Sequence, residues 1–194
     1  SGATGTGEPA GIRAVAGPVT IEDNHLLETL FGIDLRESPD SVIRANHVRG
    51  KDLSSGRRGD GIRLWWSHGC TVEDNTVSRS RDLVFWYSEN LRIARNRVSE
   101  SRYGLHFMYS HDTTLSGNDL DGNSVGIYLM YSNRITLRDN RLTNNRGASG
   151  YGIGLKACDD LTVTGTALLA NRARTYTNPS PSSTRPTAPP KSTN

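Results

Sequence analysis

Two rhythms of apolar residues run along this chain. The short one has a period of two: Ile62 and Leu64, Leu105 and Phe107, Ile127 and Leu129, and Ile153 and Leu155 alternate with residues of other types. That is the pattern of short strands with one buried face. The long rhythm is marked by asparagine. Asn24, Asn46, Asn75, Asn96, Asn118 and Asn140 follow one another at intervals of 22, 29, 21, 22 and 22 residues. An aliphatic residue stands three positions before each (Ile21, Ile43, Val72, Ile93, Leu115, Leu137) and another two positions after it (Leu26, Val48, Val77, Val98, Leu120, Leu142).

A second strip precedes each of the last five asparagines: "FGIDLRES" (31–38), "GIRLWWS" (61–67), "DLVFWYS" (82–88), "GLHFMYS" (104–110) and "GIYLMYS" (126–132). A further copy, "GIGLKAC" (152–158), leads to Thr166 where an asparagine is expected, so there are about seven copies, the first incomplete. No stretch sustains a helical period, and Gly, Asn, Asp and Ser interrupt the apolar positions throughout. Short strands at a fixed spacing predict an all-β fold, a parallel β-helix of about seven coils stacked roughly 4.8 Å apart. A sandwich is the alternative, but its strands do not repeat with this fidelity.

Stacking turns equal positions into ladders. Asn24 to Asn140 read as an internal asparagine ladder at one bend. Ser38, Ser67, Ser88, Ser110 and Ser132 read as a second polar ladder at another, with Cys158 buried in the same column. The wide interval carries about seven extra residues in "GKDLSSGRRGD" (50–60), a polar loop bulging from the solenoid. Residues 1–10 form a lead-in, 11–174 the β-helix, and 175–194 a Pro/Ser/Thr-rich tail expected to be disordered.

Composition then narrows the function. The net charge of +3 comes from scattered rather than clustered basic residues, which argues against a nucleic-acid partner. No apolar run approaches the roughly 18 residues of a membrane span. "SGATGTGEPA" is no signal peptide, and the chain lacks an initiator Met, which suggests that it begins inside a longer protein or after processing. Cys70 and Cys158 fall about four coils apart, too far for a disulfide, so both are expected as free thiols.

What the ladders leave over is the outward side of the first strip. One column carries Asp34, Arg63, Val84, His106, Tyr128 and Gly154; the next Arg36, Trp65, Trp86, Met108, Met130 and Lys156; the third Glu37, Trp66, Tyr87, Tyr109, Tyr131 and Ala157. The chain's two methionines thus share a column on adjacent coils, with His106 beside Met108. Thioethers and an imidazole suit Cu(I). The candidate ligands are His106, Met108, Met130 and, in the following turn, His111, within a surface shaped by Trp65, Trp86, Tyr109 and Tyr131. Aromatic columns could instead stack on sugars, and a scaffold that only docks proteins is a third reading. Hydrolysis or lyase chemistry needs clustered carboxylates. The outward columns offer Asp34 and Glu37 early and no acidic pair in the middle coils, so an enzyme is not expected.

The motifs "RGDGIRLW" (58–65), "SRDLVFWYS" (80–88), "SRYGLHFMYSHD" (101–112), "VGIYLMYSN" (125–133) and "GYGIGLK" (150–156) resemble the NosD family over about residues 11–172. The family belongs to a wider group of carbohydrate-binding and sugar-hydrolysis repeat domains. The resemblance implies a right-handed, pectin-lyase-like β-helix. It also implies export to the periplasm and a part in copper-site maturation of nitrous-oxide reductase. Implied partners are an ABC-type ATPase and permease, a copper chaperone and the reductase. Trp66 departs from the pattern, where a small polar residue is expected.

Overall fold

The computed structural model describes residues 10–148 and 150–172. The expected lead-in and tail lie almost wholly outside them. Among the described residues, twenty-one short strands form three parallel sheets of seven, each strand pairing with its equivalents in the adjacent coils. The site-bearing sheet runs Ala10–Val15, Phe31–Arg36, Ile62–Trp65, Asp82–Trp86, Tyr103–Met108, Val125–Met130, Ile153–Lys156. The second runs from Thr20–Glu22 to Leu161–Thr164 and the third from His25–Thr29 to Ala167–Leu169. This is a parallel β-helix of seven coils. The first coil is complete rather than partial. Ala10–Val15 is its site-sheet strand, in register with Phe31–Arg36, although "AGIRAV" lacks the bulky apolar pair that marks the later strips.

The core is a stack of rungs. Ile43, Val72, Ile93, Leu115 and Leu137 form one column, Val48, Val77, Val98, Leu120 and Leu142 another, and all are buried. The Phe85 and Phe107 rings stack inside at 4.6 Å. Glycine is needed where the chain enters the site sheet: a Cβ on Gly126 would lie 2.5 Å from the Gly152 carbonyl oxygen of the next coil.

Three polar ladders close the corners. Each asparagine Nδ2 donates to the Oδ1 of the next, at 2.9 Å from Asn24 to Asn46 and 3.0 Å from Asn96 to Asn118. The same Oδ1 accepts the next-lower backbone N–H, and Nδ2 also reaches a carbonyl, as from Asn96 to Val72. Every buried amide is therefore paired. The Ser38–Ser132 column accepts backbone N–H groups in the same way. A third ladder, beyond the two expected, is formed by Ser80, Ser101, Asn123, Asn145 and Asn171. Both cysteines are free; Cys70 is buried, but Cys158 is only half-buried, because it sits near the end of the described stack where few coils cover it.

Candidate outward face of the site sheet

The site sheet's register sets the three outward columns side by side as the spacing predicts. Arg13, Asp34, Arg63, Val84, His106, Tyr128 and Gly154 align, and so do Arg36, Trp65, Trp86, Met108, Met130 and Lys156. Their exposure differs from the expectation. The first column faces away from the core yet is buried from Asp34 through His106. Charged and aromatic side chains from the strand entrances close over it. Arg63 lies over the Phe31 ring, and Arg102 over the Tyr103 ring.

The strand entrances also supply acids, and this corrects the expectation of no acidic pair in the middle coils. Asp60 and Asp82 stand there, both buried. Asp60 pairs with Arg81 at 3.0 Å. Burial pushes its carboxyl above the usual range, and the Asp82 charge adds to that. Asp82 binds Arg102 and His106; burial would raise it, but those hydrogen bonds outweigh burial and hold it low. Asp34 is likewise held low against burial by Arg63, Arg36 and Arg13.

His106 is the pivotal side chain. It is 6% exposed and edge-on to Tyr103 at 4.8 Å. Its Nδ1 lies 3.2 Å from Asp82 Oδ2. An ionised carboxylate accepts, so Nδ1 carries the proton and Nε2 keeps its lone pair in the neutral ring. That Nε2 is buried without a partner among the described residues. A carboxylate that orients a histidine and leaves the other nitrogen open is the usual outer shell of a metal ligand. Asp82 opens the strip "DLVFWYS", but nothing within that strip shows that it pairs with His106 on the next coil.

Met108 and Met130 are direct neighbours in the register, both half-buried, and Met108 follows His106 by two residues on the same face. Trp86 borders Met108 one coil back. His111 is placed differently. Its Nδ1 accepts the Asn133 backbone N–H at 3.1 Å, just as His68 accepts that of Glu89. It serves a repeated turn, with its proton on Nε2. Among the described residues no three His, Cys, Asp or Glu side chains gather to hold a metal, so a metal here would depend on the thioethers.

The third column forms a ladder on the outside of the bend. Trp66, Tyr87, Tyr109 and Tyr131 stack at 5.1, 5.2 and 4.8 Å, and the Lys156 ammonium covers the last ring. Tyr109 and Tyr131 thus belong with Trp66 and Tyr87 rather than with Trp65 and Trp86. Trp66, which departs from the expected pattern, is the ladder's first rung.

A family model described as periplasmic copper-binding protein (NosD) matches residues 47–180. No curated protein sequence matches the chain. Among solved structures, the periplasmic alginate epimerase AlgG is similar in fold, with a TM-score of 0.60 and 15% identity over 82% of this chain. The chain spans about half of that protein, 48%. The mannuronan C-5 epimerase AlgE4 A-module of Azotobacter vinelandii gives a TM-score of 0.44 and 15% identity, over 80% of this chain and 62% of that one.

Proposed function

The chain belongs to the NosD family, and from that premise we propose that it carries Cu(I) as cargo in the periplasm. The Met108 and Met130 sulfurs and His106 Nε2 are the donors. The supporting observation is their arrangement: two thioethers on adjacent coils, and on the same face a buried imidazole nitrogen without a partner, its ring fixed by Asp82. Soft, uncharged donors on a rigid sheet favour Cu(I) over harder ions. Trp86 borders Met108 in the same column, with Trp65 one coil further back. His111 drops out of the first set, because its Nδ1 is engaged and its Nε2 protonated.

From the same membership we propose that the copper goes towards the copper sites of nitrous-oxide reductase, in concert with an ABC-type ATPase and permease and a copper chaperone. Sugar stacking finds less support. The inner faces of the outer rings are spent on one another, so only edges and hydroxyls are offered.

Anaerobic titration against a Cu(I) indicator dye tests the donor set. Met108→Leu/Met130→Leu keeps the volume and should weaken Cu(I) binding at least tenfold. His106→Phe should weaken it further, and His111→Gln should leave it unchanged. Equal affinity in wild type and the double methionine variant would eliminate this site.

A further inference from the structure

Of the chain's five histidines, three have a fixed task. Nδ1 of His68 and of His111 accepts a backbone N–H, and His106 meets Asp82. His25 and His47 have no such task. No hydrogen bond to either imidazole is found among the described residues. The two rings lie against each other instead, with centroids 5.7 Å apart and planes at 17°. They stand on the outer face of the third sheet, on its first two strands and in direct register. His25 is exposed and His47 half-buried.

The asparagine ladder sets their spacing, because each histidine directly follows one of its rungs. Asn24 Nδ2 donates to Asn46 Oδ1 at 2.9 Å, and the His47 N–H donates to the Asn24 carbonyl at 2.8 Å. The two side chains therefore start about one strand spacing apart, roughly 4.8 Å. Two nitrogens in neighbouring positions on one metal ion, each at about 2.0 Å from it, lie roughly 3 Å apart. The rings reach that separation by tilting towards each other, and their exposure leaves room for it. The nearby acids are engaged elsewhere, Glu22 with Arg44 at 2.5 Å and Glu28 with Arg49 at 3.3 Å. Among the described residues no carboxylate or thiol completes a group of three with the pair. The protein thus supplies two nitrogens and leaves the remaining positions to water.

We infer that His25 and His47 together bind Cu(II). Imidazole suits copper, nickel and zinc ions, and the affinity of nitrogen donors for divalent ions peaks at Cu(II). Calcium and magnesium require oxygen ligands, which the pair does not offer. The thioethers that favour Cu(I) lie on a different sheet and on later coils. This site is therefore separate from the Met108 and Met130 donors and does not rest on them.

Titration of the full chain with Cu(II) in air, in a non-coordinating buffer and read by electron paramagnetic resonance, tests the pair. The bound ion should show nitrogen hyperfine structure. His25→Gln and His47→Gln should each weaken binding at least about tenfold, since the second bond is intramolecular only while both rings stand on one frame. Met108→Leu/Met130→Leu should leave Cu(II) binding unchanged, so that either copper site can fail without the other. Unchanged affinity in either histidine variant overturns the chelate, as does a loss in the methionine variant. Tighter binding of zinc or nickel overturns copper as the occupant.

Discussion

Two corners of each coil share one backbone conformation and use it for different ends. At the asparagine corner, a left-handed residue precedes the inward Asn or, in the last coil, Thr166: Asp23, Ala45, Asp74, Arg95, Gly117, Asp139 and Gly165, with φ between 52° and 63°. At the serine corner, the equivalent residues are Ala16, Glu37, Trp66, Tyr87, Tyr109, Tyr131 and Ala157, with φ between 49° and 59°. Asp and Gly are the residues this conformation tolerates best. Bulky aromatics are unusual in it, each at a cost on the order of 1 kcal/mol. The asparagine corner is thus chosen for folding. The aromatic corner is not, since serine needs no aromatic neighbour to make its ladder. Its rings recover part of the strain by stacking, yet stay largely exposed: Trp66 at 46%, Tyr87 at 39% and Tyr109 at 40%.

The contrast can be broken most directly at Asn96. Alanine there removes bonds to Asn118, Val72 and the backbone of Asn75, leaving buried groups unpaired. The loss should be about 3 kcal/mol, read as a lower urea midpoint. A shift no larger than that of a surface substitution would refute the internal ladder's structural role.

Acid should separate the outer face from the asparagine corner. Asp34 and Asp82 have folded-state carboxyls held below the ordinary value of about 3.9. Their pairing therefore stabilises the fold above that value and is lost as pH falls through the lower folded one. The buried asparagines do not titrate. Hydrogen exchange between neutral pH and pH about 3 should show the site-sheet strands around Asp34 and Asp82 losing protection before the strands next to the asparagine ladder. Simultaneous loss would merge the two regions.

A lone aromatic transplanted to the other corner sharpens the argument. Asp74→Tyr removes the bond to Arg95 and gains no stacked neighbours, so it should cost about 1 kcal/mol. Tyr109→Gly gives up two ring contacts worth about 0.5–1.5 kcal/mol each and relieves a left-handed tyrosine of about 1 kcal/mol, so stability should fall by no more than about 2 kcal/mol. A larger loss would make the aromatic ladder part of the folding machinery.

Repetition explains what could be read early. The Asn and Ser ladders, the apolar rungs and the register of Met108 on Met130 recur at a fixed interval, and stacking converts interval into contact. The third ladder is less legible because it changes from Ser80 and Ser101 to Asn123 and Asn145 midway. The first strand is less legible because "AGIRAV" carries Ala14 where the next strip carries Leu35. The role of Asp82 is not legible in the sequence, because its partner His106 is 24 residues away, across a coil boundary.

The sequence by itself determined the coil, its period, the inward rungs and which outward residues share a column, because a two-residue alternation repeated at constant spacing leaves one way to bury the apolar face. Only the tertiary structure decided how deep each column lies and which atoms remain without partners. His106 is buried on the outside of the sheet because Asp82, Tyr103 and Tyr128 close around it. The tyrosines at the bend stay in water because their left-handed backbone turns them away. Burial and proton placement depend on side chains from neighbouring coils, and that environment is fixed only when the coils have stacked.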